Sequence, residues 1–203
     1  MAELTFWMAA PISKEPTDLT SWIRAAKSGN LEAFRELIQF YQRKVLGIAF
    51  RLLGRMDLAQ DAAQEVFLRL YKYLHRFKEN ADFYPWLYTM TVNVSRNLRR
   101  KGADNRCLSL DAILLEKEIE LPSKAADPQT QMLKSEQRQW VHNALRYLSE
   151  KEREVLVLRD IEGLSTREVA TILGSSEATV RVQASQARLK IRKQLEIVMG
   201  KRL

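Results

Sequence analysis

The spacing of apolar residues constrains this chain more than any other feature of its sequence. From Leu31 to Leu53 apolar side chains recur mostly in steps of three and four, which places them on one face of an α-helix. Gly54 then predicts the end of that helix. Asp57, with Gln60 three residues later, predicts a capping box that opens a second helix. Pro85 suits the first turn of a third helix, and a shorter helix is expected around residues 22–26.

Composition narrows the classes of protein that this chain can belong to. The 203 residues carry a formal net charge of +8, from 33 Lys and Arg against 25 Asp and Glu. Such a surplus suits a polyanionic partner, either nucleic acid or an acidic membrane surface. No apolar run approaches the roughly 18 residues that a membrane span needs. The single cysteine, Cys107, and the distant His75 and His142 predict no disulfide framework, no metal site and no cofactor.

An acidic segment that lacks a long helical pattern divides the chain into two helical parts. Between Cys107 and Gln137 six acidic residues stand against three lysines, in a protein that is otherwise basic. A helical pattern returns from Arg138 onward. We therefore expect an all-α chain with two small helical domains, residues 20–101 and 129–203. A flexible acidic linker, 102–128, joins them, and a flexible leader, 1–19, precedes them.

The second half contains the spacing of a helix-turn-helix. Ser165 and Glu168 form a predicted capping box, so a helix begins at Thr166. Gly174 can adopt the left-handed conformation that ends it, and Ser175 or Ser176 can cap the next helix. The expected buried stripe of that next helix consists of Val180, Ala184, Ala187 and Ile191.

The outer side of this second helix is rich in basic and amide side chains, among them Arg181, Gln183, Gln186 and Arg188. Arg and Gln can reach base edges in the major groove, while Lys and Arg neutralise phosphates. The pattern over residues 166–188 therefore favours DNA binding over an ordinary helical hairpin with a solvated face.

One polar helix face in the first half suggests a protein partner. Asp61, Gln64 and Glu65 form an acidic stripe, and Leu68 lies on the same side one turn further on. An apolar residue inside an acidic stripe is a plausible docking spot for a basic partner. The alternative is a solvated acidic face with one isolated leucine.

Aromatic residues precede a basic helix in the segment that follows. Rings at 83, 84, 86 and 88 come just before Asn93, Arg96, Asn97 and Arg100. Rings can stack on unpaired bases while cations hold the backbone, so this order suits separated DNA strands. Trp86 is expected to be mainly core, whereas the loop from residue 80 to 84 is expected to be available to bases.

Three stretches together resemble a known family. "AFRELIQFYQRKVLGIAFRLLGRMDLAQDAAQEVFLRLYKYL", "FYPWLYTMTVNVSRNLRR" and "EGLSTREVATILGSSEATVRVQASQARLKI" resemble bacterial RNA polymerase sigma factors, most of all the extracytoplasmic function (ECF) group. The resemblance covers about residues 20–101 and 129–195, and it implies a region 2-like helical bundle followed by a region 4-like helix-turn-helix.

The resemblance also implies roles for individual residues. The residues that it places on the clamp of the largest subunit of core polymerase are Asp61, Gln64, Glu65 and Leu68. Those that it places at the minus-ten DNA are Asn80, Asp82, Phe83, Tyr84, Tyr88, Asn93, Arg96, Asn97 and Arg100. Those that it places at the minus-35 DNA are Thr179, Arg181, Val182, Ser185, Gln186 and Arg188.

The implied function is promoter recognition and opening in transcription initiation, by a cytoplasmic protein without enzymatic activity. Its implied partners are core RNA polymerase, promoter DNA and an anti-sigma factor, with no small-molecule substrate. Within the recognition helix, Ala178 stands where ECF members often carry Gly, and Val182 and Gln186 replace hydroxyl and Arg groups of the family pattern.

Two other functions are compatible with parts of the sequence. A stand-alone helix-turn-helix regulator would bind duplex DNA tightly without polymerase, as a dimer on a palindrome. A recombinase would use Tyr84, Tyr88 or Ser95 as a nucleophile beside Arg96, but no metal cluster, paired catalytic carboxylates or base-bearing triad accompanies these residues.

Overall fold

The computed structural model describes residues 18–78, 81–102 and 143–200, and the regular elements within these ranges are helical. The expected leader, except its last two residues, and nearly all of the expected linker lie outside them, as do Cys107 and His142. The helices, in chain order, are α1 (Leu19–Lys27), α2 (Leu31–Leu53), α3 (Met56–Tyr73), α4 (Phe83–Gly102), α5 (Glu150–Leu156), α6 (Thr166–Leu173) and α7 (Glu177–Gly200). A 3₁₀ turn (Leu74–Arg76) follows α3, and a π-helical turn (Val157–Ile161) continues α5.

The first four helices form a bundle around the apolar face of α2. The Asn30 side chain caps α2 by accepting the N–H groups of Glu32 and Ala33 at 2.9 and 3.1 Å, which satisfies donors that have no partner within the helix. Gly54 ends α2 with a φ of 73°, as the sequence predicts. The face that α2 buries includes Leu37, Tyr41, Val45, Ile48 and Leu52.

One predicted helix start in this bundle is wrong in detail. The capping box of Asp57 and Gln60 does not form, because α3 begins at Met56 and Arg55 precedes it without a side-chain cap. Met56 is buried, which draws it into the first turn, and the Asp57 carboxylate accepts hydrogen bonds from the Arg55 guanidinium instead. Helix α4 begins at the buried Phe83, which places Pro85 in its first turn, as the sequence predicts.

The helix-turn-helix forms as predicted. Ser165 and Glu168 make a reciprocal capping box, in which the backbone nitrogen of each lies 2.7 and 3.2 Å, respectively, from the side-chain oxygen of the other. Gly174 ends α6 with a φ of 63°, and Ser176 accepts the N–H of Thr179 at 3.1 Å to cap α7. The predicted stripe of α7 is buried, namely Val180, Ala184, Ala187 and Ile191.

The two halves of the chain pack against each other within the described ranges. Helix α6 lies against α4, and α5 with its π-helical turn lies against α2. One buried apolar cluster continues through both halves. The Leu52 carbonyl at the end of α2 accepts from Arg153 of the second half at 3.2 Å, so backbone atoms as well as side chains hold the contact.

We expect Gly174→Ala to lower the free energy of unfolding by about 1–2 kcal/mol, the usual cost of a left-handed conformation in a residue with a Cβ. The site itself has space, since a Cβ at Gly174 would meet nothing within 4 Å. Chemical denaturation of the two variants Gly174→Ala and Gly174→Asn measures the effect. Asn tolerates this conformation better, so equal losses in the two variants would contradict the backbone explanation.

Candidate DNA-binding and polymerase-docking surfaces

The outer face of α7 presents the predicted recognition residues to solvent. Those that are exposed comprise Thr179, Arg181, Val182, Ser185, Gln186 and Arg188. Helix α7 rests on α6 through its buried stripe, so a rigid support holds this face outward. In a helix-turn-helix such a face enters the major groove.

Ion pairs within the chain already engage two arginines of this face. Arg181 donates to Glu177 at 2.8 Å, one helical turn away. Arg188 forms a two-pronged pair with Asp160 of the π-helical turn, at 2.7 and 2.5 Å, and its hydrogen bonds to Asp160 raise the pKa of Arg188. The Arg188 pair joins α7 to the element before the helix-turn-helix, a role that the sequence pattern did not indicate.

The predicted docking stripe lies on the exposed side of α3. We call Asp61, Gln64, Glu65 and Leu68 the docking stripe; Asp61 and Gln64 are exposed, and Glu65 pairs with Arg69 at 2.6 Å. Leu68 is 66% exposed.

The apolar part of this surface is larger than the sequence analysis indicated. Tyr71, three residues after Leu68 and therefore on the same helix face, is also exposed, and its ring meets that of Phe34 edge-on at 5.2 Å. Leu31, at the start of α2, is exposed as well. The i, i+3 spacing of Leu68 and Tyr71 is visible in the sequence and is the signal that adds Tyr71 to the predicted docking surface.

The rings expected to meet unpaired bases are in the core. Phe83, Tyr84 and Tyr88 are buried, so the expectation that Phe83 and Tyr84 lie in an available loop is wrong for this conformation. Phe83 packs against Phe77 with ring centroids 5.4 Å apart, and Tyr84 packs against Tyr41 at 5.2 Å. Edge-on aromatic contacts of this kind are favourable in addition to the area that they bury.

The exposed groups of α4 form a polar row. Asn93, Asn97 and Arg100 are exposed and follow one another at steps of four and three, so they lie on one face. Asp82 is exposed just before the helix, and Asn80 lies outside the described residues. This row is the part of the predicted minus-ten surface that is accessible to solvent.

Arg96 is engaged by the second half of the chain. Its guanidinium forms two hydrogen bonds with the Glu154 carboxylate of α5, at 2.8 and 2.6 Å, and these bonds raise the pKa of Arg96. Arg99 approaches the same carboxylate at 3.5 Å. The Glu154 side chain is only 1% exposed, so one buried anion holds two cations of α4.

A second carboxylate, mostly but not fully buried, contacts the other half of the chain just after the π-helical turn. Glu162 accepts from Arg51 of α2 at 3.2 Å and from the Tyr88 hydroxyl at 3.4 Å. Burial raises the pKa of Glu162, although the positive charges of Arg51 and Lys44 offset part of this effect. Burial likewise raises the pKa of the Tyr88 hydroxyl.

Two predicted minus-ten residues therefore face the second half of the chain rather than solvent. Arg96 and Tyr88 contact Glu154 and Glu162, which lie 58 and 74 residues away in sequence. Sequence reasoning missed both glutamates, because Glu154 is one of several charged residues in its helix and Glu162 follows a helical turn that also holds Arg159 and Asp160, so neither stands out until its distant partner is known.

Two kinds of feature are absent from the described part of the chain. Its residues form no group of three or more His, Cys, Asp or Glu side chains that could hold a metal ion. None of its helices combines the length and the apolar character that are needed to cross a bilayer.

A helix-turn-helix with an exposed outer face, joined to a helical bundle, is typical of a DNA-binding protein. Two family models match the chain, sigma-70 region 2 over residues 37–104 and sigma-70 region 4 over residues 138–191.

Relatives of known name agree with these models. The RNA polymerase sigma-H factor of Pseudomonas aeruginosa is 34% identical over 86% of this chain and 92% of its own length. The ECF RNA polymerase sigma-E factor of Haemophilus influenzae is 30% identical over 87% of this chain and 95% of its own length. The sigma factor RpoE of Bartonella quintana, solved in complex with the anti-sigma factor NepR, shares the fold, with a TM-score of 0.58, 20% identity, and coverage of 81% of this chain and 97% of that one.

The chain belongs to the sigma-70 family of RNA polymerase sigma factors, in its extracytoplasmic function group. It is a transcription initiation factor that directs RNA polymerase to promoters, and the family is non-catalytic.

We expect Glu154→Gln to loosen the contact between the two halves. A hydrogen bond to a charged group contributes about 1.5–3 kcal/mol, and the amide removes the negative charge that faces Arg96 and Arg99. Small-angle scattering of the free protein should show a larger radius of gyration.

Glu150→Gln is the matched control, because Glu150 also pairs with Arg99 but its side chain is 50% exposed. Exposed pairs contribute little, so this variant should stay compact. Equal expansion of the two variants would contradict the role of the buried carboxylate.

Proposed function

We propose that this protein binds core polymerase through the docking stripe of α3, reads the minus-35 element with α7, and captures the minus-ten element with α4. The observation that carries the proposal is that two surfaces of different chemistry, the acidic stripe with Leu68 and the recognition face of α7, are exposed on one chain. A protein surface and a DNA surface presented together suit a factor that brings an enzyme to DNA.

The docking stripe defines its partner by chemistry. Asp61 and Glu65 favour a basic surface, and Leu68 favours an apolar pocket within it. By resemblance to the family, the partner is the clamp of the largest polymerase subunit. Tyr71 extends the apolar area next to Leu68 and is expected to be covered in the same complex.

The minus-ten role begins from the exposed row of α4. Asn93 and Asn97 can donate and accept hydrogen bonds, and Arg100 can neutralise a phosphate. Arg96 can join them only after it leaves Glu154, and Phe83, Tyr84 and Tyr88 can stack on bases only after they leave the core. We therefore infer that the two halves separate when the protein takes up promoter DNA.

Energetics favour a factor that works only with polymerase. Flipping one base costs a few kcal/mol, and stacking it on a ring returns about 1–3 kcal/mol. A dozen further base-pair steps cost roughly 1.4 kcal/mol each. This chain can thus capture one or two bases, while the polymerase supplies the contacts that hold the bubble open.

Burial of the tyrosines supports a non-enzymatic role for this chain. Tyr84 and Tyr88 are inside the bundle, and burial raises the pKa of Tyr88, which makes its hydroxyl a poorer nucleophile. A recombinase that used Tyr84 or Tyr88 as its nucleophile would need that hydroxyl to be exposed and activated.

Two further features of the proposal follow from relatives and partners. The Bartonella sigma factor with this fold binds an anti-sigma factor, and we infer that an anti-sigma factor regulates this chain also. Because core polymerase and promoter DNA are its partners, we infer that it acts in the bacterial cytoplasm. Its expected domains, residues 20–101 and 129–203, correspond to the docking and minus-ten part and to the minus-35 part.

We expect Asp61→Arg to weaken binding to core polymerase by tenfold or more, because it places a positive charge where a basic partner docks. Glu196→Arg makes the same change of charge on another exposed carboxylate, at the far end of α7, and should leave this affinity unchanged. Titration of labelled core enzyme with each variant measures it. Unchanged affinity for Asp61→Arg would show that the docking assignment is wrong.

We expect Arg181→Ala to weaken minus-35-dependent transcription several-fold while core binding stays intact, because a base or phosphate contact contributes about 1–3 kcal/mol. Arg192→Ala removes a similar exposed arginine that also pairs with a glutamate one turn away, three turns further along α7. Run-off transcription with matched promoters compares the two variants. Loss of core affinity in Arg181→Ala would contradict a role limited to DNA.

A further inference from the structure

Val182 occupies an unusual place on the recognition helix. It is 54% exposed, and it lies about 200° around the helix from the buried Val180 at 100° per residue. It therefore sits at the middle of the outward face. Between residues 178 and 193, the residues within about 60° of Val182 around the helix are Ala178, Thr179, Ser185, Gln186, Leu189 and Lys193, all of them exposed.

The middle of this outward face carries apolar groups among polar ones. The arginines lie to the side, where Arg181 pairs with Glu177 and Arg188 with Asp160. Ala178, Val182 and Leu189 present methyl groups, next to the hydroxyls of Thr179 and Ser185 and the polar ends of Gln186 and Lys193. A base edge that meets Val182 itself has to offer a surface that methyl groups can cover.

Helix formation does not explain a valine here. A β-branched residue loses side-chain freedom in a helix and is less favourable there than alanine. In the core, burial of the side chain offsets this cost, but Val182 is more than half exposed. The same stiffness helps in binding, because a side chain with one preferred rotamer loses little freedom when it is covered.

We propose that Val182 packs against the C5 methyl group of a thymine in the minus-35 element and so specifies thymine at that position. In the major groove the C5 methyl of thymine is the apolar group that base pairs present, and apolar side chains are its usual contacts. Val182 is in the second turn of α7, within the N-terminal part of a recognition helix that meets base edges. This inference rests on the proposed minus-35 role of α7 and adds the base that it selects.

If Val182 makes this contact, the affinity for the promoter depends on the C5 methyl group of one thymine. Deoxyuridine pairs as thymine does but lacks this methyl, so it should weaken binding by about fourfold at the position that Val182 contacts, the effect of one buried methyl-sized group. Cytosine in its place loses the methyl and adds an N4 donor, so it should bind more weakly still.

The experiment uses the full chain bound to core polymerase. A minus-35 element is first selected from a randomised promoter library with the wild-type holoenzyme. Each thymine of that element is then replaced singly by deoxyuridine, and the dissociation constants are measured by competition. We expect one substitution, or two adjacent ones, to weaken wild-type binding about fourfold, and the Val182→Ser holoenzyme to bind the thymine and deoxyuridine promoters equally.

Val182→Thr is the matched variant, because it keeps a branched side chain with one methyl and should retain part of the methyl dependence. Methyl dependence that persists in Val182→Ser, or its absence in the wild-type holoenzyme, overturns the inference. A selected element without thymine also overturns it. Failure of the wild-type holoenzyme to bind any promoter overturns the proposed function and this inference together, whereas tight binding that ignores the methyl overturns the inference alone.

Discussion

The pairing of Glu154 with Arg96 and Arg99 ties the second half of the chain to α4 of the first. A carboxylate that is almost completely buried is costly unless cations and hydrogen bonds compensate it, and here two guanidiniums from the other half of the chain do so. Glu162 repeats the arrangement with Arg51 and Tyr88. Each half therefore supplies the charges that the other half needs, and an apolar cluster runs through both.

This arrangement leaves some of the proposed functional surfaces accessible and covers others. The docking stripe of α3 and the recognition face of α7 are accessible while the halves are together, whereas Arg96 and the rings of α4 are covered. Arg96 gives Glu154 the fork of donors formed by its Nε and one Nη, so a two-pronged contact of that fork with a phosphate requires the pair to open. Under the proposed function, contact with polymerase can therefore begin before Arg96 and the rings of α4 are exposed.

The parts of the structure that the sequence predicts are those that local interactions determine. The ends of α2 and α6 follow from Gly54 and Gly174, and the start of α6 from Ser165 with Glu168, because all partners of these residues lie within one turn. The start of α3 was missed because it depends on the burial of Met56. The burial of Phe83 and the interdomain role of Glu154 depend on residues far along the chain, which no short pattern contains.

The contact between the halves has a quantitative consequence for the working protein. If only a fraction of molecules is open at a given moment, the apparent affinity for any ligand of the open form falls by that same fraction. The strength of the ion pairs between the halves therefore sets the fraction of molecules that is open. A change of 1.4 kcal/mol in closing alters the available concentration of open factor by about tenfold, without any change in the amount of protein or in the residues that touch DNA.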